Sequence, residues 1–153
     1  MEGLHPRTRL LWLVRAVVIT LVVGLGAIAI DRWLTDVPAY AIASVVVVVL
    51  VVGIAFALRR YQVWQFELQD DSLYLERGVI TFVETAVPYV RVQHVDTRFG
   101  PVERLFGLSS VVVYTAGSRN ADVRIPGLRP ARARALQDRL RELAVESETE
   151  DAV

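Results

Sequence analysis

Two kinds of apolar pattern divide this chain. Over residues 10–30 apolar side chains run on with one charge among them, Arg15, and over residues 39–58 they run on with none, through a valine block at 45–49. At about 1.5 Å of rise per residue such helices measure roughly 30 Å, the thickness of a bilayer's hydrocarbon layer. Valine forms helices poorly, but a lone strand in lipid would leave its backbone groups without partners, so the pattern predicts two transmembrane helices. Residues 31–38 between them suffice only for a tight turn, which makes the pair an antiparallel hairpin. Beyond residue 60 the period shortens to two. Trp64, Phe66 and Leu68 alternate with polar neighbours, residues 69–72 form a polar turn, and Leu73 and Leu75 resume on a run that stops at Gly78. Further runs rich in Val, Ile, Thr and Tyr cover 79–87, 89–97, 108–115 and 122–125, with Gly, Pro and Ser between them. They predict an antiparallel meander of about six or seven strands. Residues 101–107 open on Pro101 and close on Gly107, a helical turn expected to direct Leu105 and Phe106 toward the sheet. A helical period returns at 130–145, where Leu136, Leu140 and Leu143 share one stripe, as expected of a helix laid across an open end of the sheet. The acidic residues that follow carry no apolar anchor and are expected to be a disordered tail.

The fold class is therefore a membrane α-hairpin of two transmembrane helices plus a small all-β barrel or sandwich capped by a C-terminal α-helix. Its expected divisions are an N-terminal tail at 1–9, the hairpin at 10–58, the β domain at 59–145 and the acidic tail at 146–153. Hydrophobic residues make up 54% of the chain, and the two spans account for most of the excess over a soluble domain. All 17 basic residues are arginine, balanced by 17 acids. Arg7 and Arg9 precede the first span, Arg15 lies close to its start, and Arg59 and Arg60 follow the second, while Arg32 alone lies between the spans beside two aspartates. That asymmetry predicts a multi-pass protein of the plasma (inner) membrane with both termini cytoplasmic. Trp33 at one boundary, and Trp12 and Trp64 at the other, suit the interfacial belt. A rival reading of the first span as a secretory signal leaves the β domain on the same side. Ala16, Thr20 and Gly24 recur every four residues, as do Gly53 and Ala57, so each helix carries a strip of small side chains that serves either the hairpin's own contact or the docking of another membrane subunit.

Three segments carry a resemblance: 87–96 (VPYVRVQHVD), 100–108 (GPVERLFGL) and 113–117 (VYTAG). Together they resemble the bacterial pleckstrin-homology domains of the YdbS-like membrane proteins, over residues 61–145. The resemblance implies a PH-like barrel of two nearly orthogonal antiparallel sheets with a terminal helix, preceded by a membrane hairpin. It implies no activity that transfers residue by residue, and its motif residues Arg91, Gln93, His94, Gly100, Pro101, Arg104 and Gly107 read first as packing and turn determinants.

The absence of cysteine removes disulfides, thiolate catalysis and zinc-finger ligation. An enzyme would have to rely on His94 with Asp96, which is too little for a site, so no catalytic residue, metal or cofactor is expected; His94 reads as a structural imidazole bonded to a backbone carbonyl. Nucleic acid lacks its basic, aromatic-laced patch. The leading expectation is a non-catalytic, membrane-anchored binding or scaffolding module, an accessory subunit that docks another membrane protein, such as a relative with several PH-like domains. The alternative is recognition of anionic lipid headgroups by Arg59, Arg60, Arg129, Arg132 and Arg134. Against an inositol-phosphate pocket stands the acidic turn at 69–71, where phosphoinositide-binding PH domains carry basic residues. Arg77, Arg98 and Arg119 lie near expected loops and read first as solvated surface charge.

Overall fold

The computed structural model describes residues 1–34, 37–117 and 122–151. Arg119, and Thr35 and Asp36 of the expected interhelical turn, lie outside the described residues. Strand β1 (Glu2–Gly3) is followed by helices α1 (Pro6–Leu34) and α2 (Ala39–Val63). Strands β2 (Gln65–Leu68), β3 (Ser72–Arg77) and β4 (Val83–Pro88) complete an antiparallel sheet in the order β1-β2-β3-β4. A single 3-10 turn, Tyr89–Arg91, leads into β5 (Val92–Arg98), the short helix α3 (Pro101–Leu105), β6 (Ser109–Thr115) and β7 (Val123–Leu128), which form a second sheet, β5-β6-β7. Helix α4 (Pro130–Asp151) closes the domain.

The two long helices owe their contact to small residues. A Cβ added at Gly53 would stand 3.3 Å from the Cβ of Ala16, and one at Gly24 would stand 3.3 Å from Val46 Cγ2. Thr20 is buried and returns its hydroxyl to the Ala16 carbonyl at 2.9 Å, so it adds no unpaired polar group to the contact. Of the expected strip, Ala16, Gly24 and Gly53 thus serve the hairpin's own contact, and Ala16, Thr20, Gly53 and Ala57 also border an open groove between the helices.

Both helices outrun the lengths expected from hydropathy, and the surplus ties them to the β domain. Helix α1 has 29 residues, about 43 Å of rise where a bilayer needs about 30 Å. Its first turns lie on the barrel: Thr8 is 2% exposed, and its hydroxyl donates to the Gly127 carbonyl at 3.1 Å. Gly127 has φ +67, and a Cβ there would come within 2.1 Å of Thr8 Oγ1, so the contact requires glycine. Helix α2 continues through Arg59 and Arg60 to Val63, and Tyr61 donates its hydroxyl to the Leu4 carbonyl at 3.1 Å. The N-terminal segment is accordingly a component of the domain, with Glu2 opposite Phe66 and Gly3 opposite Gln65. Trp12 and Trp64, expected in the interfacial belt, are 8% and 4% exposed, because one core cluster runs from Trp12 and Ala57 into the barrel. Trp33 is exposed.

Inside the barrel, Phe66, Leu73 and Leu75 of the first sheet meet Val95, Val111, Val113 and Ile125 of the second, and Ala133, Leu136 and Leu140 of α4 seal the end. Gln137 fastens that helix, donating to the Val95 carbonyl at 2.6 Å and accepting from Thr97 at 3.0 Å. The strand expected over 79–87 begins at Val83, because Gly78 turns the chain at φ +107. The run expected over 89–97 spends its first residues in the 3-10 turn. Leu105, expected to face the sheet, is 84% exposed, whereas Phe106 is partly buried. The segment expected as a disordered tail continues α4 as far as Asp151.

Candidate ligand-binding cleft at the membrane boundary

Subtracting the turns of α1 that lie on the barrel leaves about 20 residues for lipid, from near Val14 onward, which sets Arg15 at the level of the headgroups. Arg60 reaches the same level at the end of α2. Strand β3 antiparallels β2 and ends at Arg77, opposite Val83 and one pair beyond Gln65–Glu76, level with the end of α2. These three arginines converge on a cleft of about 920 Å³ between α1 and the domain, whose far wall is Pro101, Val102 and Glu103 of α3. Arg124 also lines it, but Glu103 neutralises Arg124 through an ion pair at 3.0 Å. Among the described residues no carboxylate pairs with Arg15, Arg60 or Arg77. The Arg60 guanidinium lies over the Trp12 ring, its Cζ 4.5 Å from the centroid, a cation–π contact that positions the charge at the cleft.

Trp12, Arg15, Ile19 and Arg60 line a second cavity as well, a groove of about 620 Å³ between the helices whose other walls include Val48, Val49, Val52 and Phe56 and the small residues Ala16, Thr20, Gly53 and Ala57. The two spaces thus meet at the arginines. One is cationic and lies at the headgroups; the other is apolar and lies in the hydrocarbon. Such an arrangement can hold an amphiphile whose anionic end is hydrogen-bonded by guanidinium groups and whose chain lies along the helices.

Of the arginines expected at headgroups, only Arg60 enters this cleft. Arg59 is exposed beside it in sequence. Arg132 is spent on Glu2, donating from Nε at 2.9 Å and from Nη2 to the second oxygen; this fork draws the Glu2 carboxyl below its ordinary pKa. Arg129 Nε donates to His5 Nε2 at 2.9 Å, and Arg134 lies over the Phe99 ring. Burial, then repulsion by Arg129 and Arg7, lowers the His5 pKa. Arg129 and Arg132 therefore clasp the N-terminal segment, and Arg134 does not. Arg15 and Arg77 were visible in the sequence as a charge near a span's end and a charge near a turn, but their convergence depends on the extra helical turns. Arg124 carried no signal.

The family-like motif is a turn. Gly100 N donates to Glu103 Oε2 at 3.0 Å, Pro101 opens α3, Arg104 N donates to the Gly100 carbonyl, and Gly107 leaves the helix at φ +63. Arg91 and Gln93 are exposed. His94, expected to bond a backbone carbonyl, makes no such bond among the described residues and is instead exposed and stacked on Tyr114 with ring centroids 4.1 Å apart. The Tyr114 hydroxyl accepts from Arg98. Among the described residues no three His, Asp or Glu side chains are grouped to hold a metal.

A transmembrane protein of Bacillus subtilis (strain 168), UPF0699 transmembrane protein YdbS, is 34% identical to this chain over 85 residues, which are 56% of the chain and 52% of that protein. The match thus spans about half the length of that relative. No solved structure matches. The bacterial PH domain family matches residues 14–144, taking in most of α1, all of α2, strands β2 to β7 and most of α4, and the chain belongs to that family.

Proposed function

We propose that this protein is a non-catalytic binding module of the inner membrane, its termini and barrel cytoplasmic, and that it holds the headgroup of an anionic phospholipid in the cleft between α1 and the domain. The observation that carries this reading is the convergence of Arg15, Arg60 and Arg77, without acidic partners among the described residues, where the cationic cleft opens into an apolar groove. Each arginine near an anionic surface adds about 1 kcal/mol. The arginine asymmetry about the spans supports the orientation. Membership of the PH domain family, and a His94 engaged with an aromatic ring, support a binding role over catalysis.

A second reading, docking of another membrane protein, is favoured by β4, which ends its sheet with one edge unpaired among the described residues and with most of its residues exposed. An extended peptide can add to such an edge. The small-residue strips serve the hairpin's own contact at Gly53 and Gly24, while Ala16, Thr20, Gly53 and Ala57 also line the groove between the helices. Purification of the full chain in gentle detergent, with lipids and proteins both identified by mass spectrometry, separates the readings. An anionic phospholipid retained near one per chain supports the cleft; a stoichiometric membrane protein with no enriched lipid overturns it in favour of docking.

A further inference from the structure

The barrel carries large apolar side chains that its core does not use, and the four most exposed of those between β2 and β7 gather at one end. Ile80 is 91% exposed and Phe82 55%, both in the turn between β3 and β4. Val102 is 54% exposed and Leu105 84%, three apart on α3. Chain direction places all four. Strand β2 leaves the end of α2 and runs away from the bilayer; β3 returns, so the turn beyond Arg77 projects back past the helix end. Strand β5 likewise returns before α3, and β7 returns to reach Gly127, whose carbonyl accepts from His5 just ahead of α1. Val102 shares the cleft with Val14 and Val18, which lie on α1 just beyond the buried Trp12 and are themselves exposed.

We infer that the β3–β4 turn and α3 form a second, non-spanning membrane anchor, with Ile80, Phe82, Val102 and Leu105 entering the leaflet on the domain's side. The occupant of this face is lipid because the spans fix its height. A residue sharing a cleft with Val14 and Val18 lies at the hydrocarbon boundary, and exposed side chains there meet lipid before they meet a soluble partner. The rim's charge agrees: Arg77 borders one element and Arg104 lies on the other, as in interfacial segments that seat apolar tips below basic groups. The backbone is also suited. Gly78 holds its turn at φ +107, where a Cβ would collide with the Thr81 carbonyl oxygen at 1.9 Å, and α3 is fixed from behind by Glu103 on Gly100 N and Arg124. Both tips are therefore rigid before they meet the membrane. The inference concerns the domain's seating and is independent of what fills the cleft.

The chain's lack of cysteine makes the test direct. Single variants Ile80→Cys, Leu105→Cys and, at the far end of the barrel, Ala116→Cys carry a polarity-sensitive fluorophore in full-length protein reconstituted into vesicles of phosphatidylglycerol and phosphatidylethanolamine. Nitroxides on shallow acyl carbons quench the first two labels, expected at several times the quenching at position 116, and aqueous iodide quenches the third. Equal lipid-borne quenching at all three positions overturns the inference. Protection of the labels at 80 and 105 from both quenchers overturns it too, by assigning the rim to a second copy of the chain. A label that perturbs its own tip is controlled by Val102→Cys, which is expected to report the same depth as Leu105→Cys.

Discussion

Gly127 is the residue on which the joint between helix and barrel turns. Its positive φ costs an L side chain about 1–2 kcal/mol, and the collision with Thr8 adds to that. Gly127→Ala is therefore expected to destabilise the protein by at least about 2 kcal/mol in reversible unfolding in detergent, well beyond Thr8→Ala, which loses one hydrogen bond worth about 1 kcal/mol. The double variant should cost less than the two single costs added, because removing the Thr8 side chain relieves the collision. Glycine at position 127 was legible only as a turn signal, since its partner lies 119 residues away. The clasp on the N-terminal segment titrates. Lowering of the His5 pKa from 6.5 means that unfolding takes up a proton, so its contribution is complete above that value and fades as pH falls. The Glu2 carboxyl, held below 4.5 by Arg132, contributes above that value and loses its contribution further down the same acid limb. Melting temperature is thus expected to fall between about pH 7.5 and pH 5.5 in the wild type and to fall less in His5→Gln.

At the scale of elements, hydropathy and periodicity reveal the hairpin, the strands and the capping helix, because each of these buries a repeating stripe. They miss β1, whose two residues are too few for any period, and they misplace Leu105, because a one-turn helix has no stripe from which to read an inward face. Nor do they find the true ends of α1 and α2, because the added turns are held by contacts distant in sequence and not by local propensity. Two variants probe the elements separately. Gly53→Leu forces a side chain against Ala16, where a Cβ alone already stands at 3.3 Å, and is expected to cost about 1–3 kcal/mol while leaving the barrel's near-ultraviolet dichroism intact. Leu136→Ala opens a cavity under α4 where the side chain is fully buried, and is expected to cost about 2–5 kcal/mol with that dichroism weakened.

For the whole molecule, the decisive feature is that helices and barrel share one core, so the PH-like domain is a fixed platform and not a tethered head. A flexible link would let the domain's arginines sample the surface at random. The shared core instead holds Arg77 on the same cleft as Arg15 and Arg60 and sets that cleft at the headgroups. The candidate site was therefore only partly legible: each arginine could be read, but their meeting follows from helix length, strand direction and the Thr8–Gly127 joint together. Native mass spectrometry of the full chain released from nanodiscs of equal phosphatidylglycerol and phosphatidylcholine tests this account most directly. Wild type is expected to retain one phosphatidylglycerol, and Arg15→Gln/Arg77→Gln to bind it roughly 30-fold more weakly, the effect of two charges at about 1 kcal/mol each. Retention unchanged in that variant and abolished instead by Arg129→Gln/Arg134→Gln would contradict the account.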